Sequence, residues 1–223
     1  MITQTKEGYW IVKNDSHIGA WVEQSGRLDH DQNSLPVLFN HVRPGDTVID
    51  IGALYGDHTI AYSDWVGPQG KVIAIECNPE ALQCLRLNMN GRSNVQVIDK
   101  ALWSETGKLK LTRSVNAGAS FVTLDPKGDI DAVSLDSLFI PQVNYMKIDA
   151  EGCETEILKG AKDTIAHSKP IICMEINEGA LQRNGSSSEE LLSLLKDLGY
   201  KWEKLFPGEN NADQYDIIAH FTP

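Results

Sequence analysis

Several absences narrow the reading of this 223-residue chain. Its four cysteines, Cys77, Cys84, Cys153 and Cys173, form no CxxC pair and have no clustered histidine beside them. Neither a disulfide framework nor a structural zinc site is expected. The cysteines read as small core residues in a reducing compartment. No run of about 18 apolar residues occurs, and the start, Met1-Ile-Thr-Gln-Thr-Lys-Glu7, lacks the basic and apolar segments of a secretory leader. A cytoplasmic protein without a membrane span is the expectation. Basic charge is also short: 20 Lys and Arg face 31 Asp and Glu, a net charge of -11. That balance argues against a broad nucleic-acid or anionic-membrane surface. The partner expected is a small molecule or a glycan, and the oligomeric state is left open.

What is present is an alternation of apolar runs and helical patterns from Thr47 onward, the signature of a parallel sheet covered by helices. The runs are 47–51, 71–76, 94–99, 144–149 and 170–176, and their near-continuous apolar character suits strands buried on both faces. Pro79 opens a helix to Asn90. Ser186 and Glu189 predict a capping box ahead of Leu191, Leu192, Leu195 and Leu198, with Gly199 ending that helix. The runs 200–205 and 216–221 predict an antiparallel pair at an edge. One domain is expected over 1–223, with residues 1–44 as an N-terminal cover made of a strand pair and a helix over the sheet. Residues 105–135 read as an inserted hairpin, 108–112 with 132–135, around a loop at 114–120.

The chemistry starts where the first of these strands ends, in Asp50-Ile-Gly52-Ala-Leu-Tyr-Gly56. Glycines there let a backbone approach a ligand, and the helix that opens near Asp57 or His58 offers free amides. Glu76 ends the next strand, where a carboxylate can accept both hydroxyls of a ribose. A dinucleotide fingerprint requires GxGxxG, and its middle glycine is here Leu54. The spacing suits a nucleoside cofactor without phosphates. The alternative is that Gly52 and Gly56 only permit tight strand–helix packing. Asp99 ends the third strand, within reach of an adenine amine with backbone near Ala101, or serves as a solvent-facing cap.

These segments resemble the FkbM-type family of S-adenosylmethionine-dependent methyltransferases. The resemblance rests on Pro44-Gly-Asp46, the 48–56 segment, Ile75-Glu-Cys-Asn-Pro79, Ala101-Leu102 with Gly107, Lys147-Ile-Asp-Ala-Glu-Gly-Cys-Glu154, Leu158-Lys-Gly160 and Glu175. It implies a three-layer α/β sandwich, Rossmann-like, with a mostly parallel seven-stranded class I methyltransferase sheet whose last strand is antiparallel. It also implies O-methylation of a hydroxyl on a sugar, glycan or small natural product. Leu54 stands where the family usually has Asn, and Cys77 where it usually has Pro. On this reading S-adenosylmethionine is held by Asp50, Gly52, Ala53, Tyr55, Gly56, His58, Thr59, Glu76, Cys77, Asn78, Asp99, Ala101, Asp149 and Glu151.

Methyl transfer from a sulfonium needs alignment and exclusion of water, with a base helping a hydroxyl acceptor. Strand alternation puts Lys147 and Asp149 on one side, and Glu175 belongs to the neighbouring strand. The catalytic set is therefore Asp149, Glu175 and Lys147, with Lys147 keeping the acids ionised; a structural ion-pair network is the competing reading. His58 and His30, the latter beside Asp29 and Asp31, are further base candidates. Reading Asp149, Glu175 and His30 as metal ligands lacks any close HxxE spacing, so no metal is assigned. The acceptor pocket is expected at 114–120, 178–187 and 207–213 with Trp10 and Trp21. A nicotinamide-dependent oxidoreductase and a cofactor-binding module without turnover are the competing functions.

Overall fold

The computed structural model describes residues 1–206 and 213–222. Seven strands make the main sheet: β1 Thr47–Ile51, β2 Lys71–Ile75, β3 Val95–Ile98, β4 Tyr145–Ile148, β5 Ile171–Asn177, β6 Tyr200–Lys204 and β7 Gln214–Phe221. Their order is β6-β7-β5-β4-β1-β2-β3. β2 pairs in parallel with β1 and β3, and β4 with β5, while β7 runs antiparallel to both β5 and β6. The apolar runs become strands because they are buried on both faces: Val48, Ile49, Ile51, Val72, Ile73 and Ile75 are at most 2% exposed. Each such side chain contributes about 1.5–3 kcal/mol of burial.

The chain divides into two compact units, residues 1–100 with 111–121, and residues 101–110 with 122–223. In the first, strands Ile2–Gln4 and Trp10–Val12 pair antiparallel, followed by helices Ile18–Ser25 and Leu35–Leu38. This cover packs its strand pair on the helix Pro79–Asn88, and its Ile11 and Val22 share one buried cluster with Ala74 of β2. One side chain explains the docking. Asn88 accepts from the Trp10 amide at 2.7 Å and donates to the carbonyls of Trp10 and Tyr55, both at 2.9 Å. A polar side chain near the end of an amphipathic helix thus satisfies the edge of a two-stranded ribbon.

A second tie is Asp15, which is 5% exposed. Its carboxylate accepts from Gly19 N at 2.6 Å, Ala117 N at 2.9 Å, Tyr55 Oη at 3.0 Å and His17 N at 3.3 Å. It joins the cover, the loop at 114–120 and the turn after β1. Asp15→Asn turns one acceptor oxygen into a donor facing donors. It is expected to cost about 2 kcal/mol, lowering the thermal midpoint by several degrees. Scanning calorimetry checks this, and an unchanged midpoint would deny Asp15 its role.

The expected hairpin is a four-stranded sheet within residues 101–133. Ala101–Leu102 pairs in parallel with Ile130–Val133, which pairs antiparallel with Gly107–Thr112, and Phe121–Leu124 lies outermost. The sequence missed this because two-residue and four-residue strands carry too few alternations to show a period. The cap of the helix Ser188–Asp197 also lies one residue later than expected. Ser187 accepts from Glu190 N at 3.2 Å, whereas Ser186 shares a hydrogen bond with Thr155. The segment 178–187, expected as a loop, begins with the helix Glu178–Arg183. The acceptor segment proposed at 207–212 lies outside the described residues.

Candidate functional site

The turn after β1 is built by left-handed backbone at Gly52 (φ 82°), Leu54 (φ 46°) and Gly56 (φ 92°). The Gly52 and Ala53 amides donate to the Ile75 carbonyl at 3.0 and 3.1 Å, drawing the turn across the end of β2. Gly56 has a packing reason of its own. A Cβ there would stand 2.7 Å from the flexible end of Met89 and 3.0 Å from Leu85 Cδ1, so a side chain at this left-handed position would also crowd helix Pro79–Asn88.

Leu54 is the informative departure. A left-handed leucine is costly relative to Asn or Gly. Its amide donates to Glu76 Oε2 at 2.9 Å, and its side chain joins the apolar cluster of Ile11, Val22, Tyr55 and Ala117. The cover supplies that cluster, which is the physical reason an apolar residue is tolerated here. The amide is also committed to a carboxylate, so it is not offered to a pyrophosphate.

Glu76 is 8% exposed. Its other oxygen accepts from Asn78 N at 2.6 Å. Burial pushes its carboxyl up to about 7, against the backbone amides of Asn78, Leu54 and Cys77, which favour the anion. The hydrogen bonds from Leu54 and Asn78 take one acceptor position on each oxygen, so each oxygen keeps a second position for a ribose hydroxyl. Asp50 is fully buried; Thr59 Oγ1 donates to its Oδ2 at 2.5 Å, and Oδ1 has no partner among the described residues. An orphaned anionic oxygen at the foot of the turn suits a donor that the protein does not supply. The residues present therefore fit a nucleoside cofactor bearing an ammonium. Asn78 caps the following helix by accepting from Glu80 N at 3.2 Å.

Three other candidates of this unit are engaged elsewhere. Tyr55 is fully buried and turned to Asp15. Asp99 is 60% exposed and pairs with Arg86 at 3.1 Å. His58 lies between Asp31, at 3.4 Å from Nε2, and the Tyr62 hydroxyl, at 3.3 Å from Nδ1. Burial opposes the Asp31 anion, yet the hydrogen bonds from His58 and Ser34 hold its carboxyl well below the usual range. Burial lowers His30, whose ring stands edge-on to Trp21 and His17, each at 5.1 Å. Asp31 and Asp15 were not singled out as structural acids in the sequence, since a lone aspartate carries no pattern.

In the second unit, the register Ile148 to Met174 places Asp149 next to Glu175 at the carboxyl ends of β4 and β5. Lys147 Nζ meets Asp149 Oδ2 at 3.0 Å. Burial first and the Asp149 charge second push Glu175 upward, and Gln214 donates to it at 2.7 Å. Glu151, in left-handed backbone at φ 52°, is pushed up to about 8 by burial and by Asp149 and Glu175, with Arg183 at 3.4 Å opposing. Burial and the neighbouring Asp149 and Glu175 charges thus push Glu151 toward its protonated form, against the role given to Lys147 of keeping these acids ionised. Glu154, 1% exposed, closes the loop by accepting from Ala150 and Gly152 amides at 3.0 and 3.2 Å, and burial lifts it to about 7. Gly152 is required because a Cβ would stand 2.1 Å from the Ala180 carbonyl oxygen. Ala101 lies in the small four-stranded sheet, 5% exposed.

Among the described residues no group of three or more His, Cys, Asp or Glu is arranged to hold a metal ion, and no helix is long and apolar enough to cross a membrane.

Comparison with known proteins agrees with this architecture. The model of the methyltransferase FkbM domain matches residues 50–202. A hexuronic acid methyltransferase of Haloferax volcanii is 26% identical over 159 residues, which is 68% of this chain and 64% of that protein's length. Among solved structures, an S-adenosylmethionine-dependent methyltransferase from Aquifex aeolicus has a TM-score of 0.53 at 19% identity, covering 93% of this chain and 98% of its own. A methyltransferase FkbM from Methylobacillus flagellatus has a TM-score of 0.53 at 15% identity, covering 91% and 60%. At these identities the structures show a shared fold, the class I methyltransferase sheet. Because the family model takes in well over half of the sequence, from the buried Asp50 to Trp202 on the edge strand, the chain belongs to the FkbM methyltransferase family, which uses S-adenosylmethionine.

Proposed function

We propose that this chain transfers a methyl group from S-adenosylmethionine to a hydroxyl of a sugar, glycan or small natural product. The observation that carries the reading is the acid cluster of Asp149, Glu151 and Glu175 at the carboxyl ends of two neighbouring parallel strands. The 26% identical hexuronic acid methyltransferase supports a sugar as acceptor.

The bound cofactor supplies a methyl group on a good leaving group. The rest is the protein's part. Glu76 accepts the ribose hydroxyls, and the turn from Gly52 through Gly56, with Ala53 and the helix start at His58 and Thr59, shapes the bed for the amino-acid end. Asp50 offers its unpartnered oxygen toward the ammonium. Cys77 and Asn78 belong to the adenosine end. Asp149 and Glu175 orient the acceptor hydroxyl, and one of them takes its proton as the oxygen attacks. A carboxylate whose pKa is raised toward neutrality is the better base for that step. Glu151, pushed up to about 8 by burial and its acidic neighbours, donates a hydrogen bond to an acceptor oxygen, and Lys147 holds Asp149 in place.

Incubation with S-adenosylmethionine and a panel of glycans and small alcohols, plus amines and carboxylic acids as controls, tests the reading by mass spectrometry. A hydroxyl compound is expected to gain one methyl group. Methylation confined to an amine or a carboxyl group would overturn the hydroxyl assignment.

A further inference from the structure

The first unit contains a groove of about 600 Å³, lined on one side by the helix Asp57–Val66 and on the other by the segment 27–39. Ile60, Ala61, Asp64 and Trp65 are spaced to share one helix face, and Leu28 and Leu35, at 1% and 6% exposure, are its buried apolar members. The volume lies in the ordinary range for a small-molecule site.

The lining has an unusual composition. Three aromatic rings belong to it, Tyr9, Phe39 and Trp65, with Phe39 edge-on to Trp65 at 5.3 Å and 53% exposed. Neither the Trp65 indole N–H nor the Tyr9 hydroxyl has a hydrogen-bond partner among the described residues. Both side chains are half-buried, so these donors are open to water or to a ligand in the groove. Opposite charges are already matched: Arg27 grips Asp29 through two bonds at 3.0 and 2.6 Å, and Asp64 meets Arg92 at 2.6 Å. Gln32 donates to the Asp29 carbonyl, which leaves its side-chain oxygen as an acceptor.

No lining cation is left without a carboxylate partner, so a phosphate or a carboxylate-bearing ligand finds nothing to neutralise it. A purely apolar ligand would leave the indole and phenol donors unsatisfied at a cost of about 1–3 kcal/mol each. A neutral sugar meets both demands, because its C–H faces lie on aromatic rings while its equatorial hydroxyls bond at the ring's edge. We propose that this groove is a binding site for a neutral saccharide, distinct from the turn after β1 and from the acid cluster. Trp65 and Phe39 supply the stacking faces, and Trp65 N–H, Tyr9 Oη, Gln32 Oε1 and the Arg27–Asp29 pair read the hydroxyls.

The test uses the full chain and a panel of neutral trisaccharides, glucose- and mannose-based and of both anomeric linkages. Saturation-transfer NMR and intrinsic tryptophan fluorescence report binding, with S-adenosylhomocysteine titrated separately by calorimetry. At least one trisaccharide is expected to receive saturation at its ring protons and to shift the emission. Phe39→Ala, on a largely exposed side chain, is expected to weaken that binding about tenfold while cofactor affinity stays within twofold. Trp65→Phe, which keeps a ring and removes the donor, is expected to weaken it several-fold. No response from any trisaccharide, or equal affinity in Phe39→Ala, overturns the groove even if S-adenosylhomocysteine binds. Saccharide binding without any S-adenosylhomocysteine binding would uphold the groove and sink the proposed methyl transfer instead.

Discussion

Glu76→Gln is expected to weaken S-adenosylhomocysteine about a hundredfold at pH 7.5. A carboxylate accepting two ribose hydroxyls makes two charge-assisted bonds of about 1.5 kcal/mol each in net terms, and their sum is about two decades of affinity. The side chain is buried, and its carboxyl stands near 7 without a ligand. Hydroxyl donors favour the anion, so binding near pH 7 should expel a proton, and wild-type affinity should rise between pH 6 and 8. Calorimetry in two buffers of different ionisation enthalpy measures that proton directly. A flat affinity with no proton released would remove Glu76 from the ribose.

The same shift sets a stability trend. The folded pKa lies above the ordinary 4.5, so Glu76 stabilises the fold fully below about pH 4.5 and loses that contribution as pH rises through about 7. A shift of this size is worth about 3 kcal/mol. The melting temperature of the unliganded protein should decline from pH 5 to 8, and that of Glu76→Gln should decline less.

The second large effect belongs to the acid cluster. Asp149→Asn and Glu175→Gln are each expected to lower kcat by about 10²–10³ while leaving S-adenosylhomocysteine affinity within a few-fold, the range for loss of a positioned proton acceptor. Asp149 raises both Glu151 and Glu175 by its charge. Neutralising it lets both fall, so the rising limb of the pH–rate profile should move to lower pH in Asp149→Asn. A side chain that only braced the loop would reduce the rate without moving that limb. Full activity in both variants would place the proton acceptor elsewhere.

Much of the candidate site was legible along the chain because its members sit at strand ends. Asp50, Glu76, Asp149 and Glu175 follow or end runs of apolar residues, where a carboxylate stands out against its neighbours. The capping serine at 187 and the small sheet around Ala101 were misread for a local reason, since neighbouring serines and very short strands have interchangeable patterns. Tyr55 shows a different limit. Its place in the turn suggested a cofactor contact, but its ring is claimed by Asp15, forty residues away.

By itself the sequence determined the alternation of strands and helices, the glycine turn, the carboxylates at strand ends and the family, because these depend on spacing along one chain and on residue type. Only the tertiary structure decided which carboxylates burial pushes toward their protonated form, why Leu54 tolerates a left-handed turn, and that Gly152 answers to the Ala180 backbone. Those outcomes depend on burial and on side chains brought together from distant positions, and no periodicity encodes either.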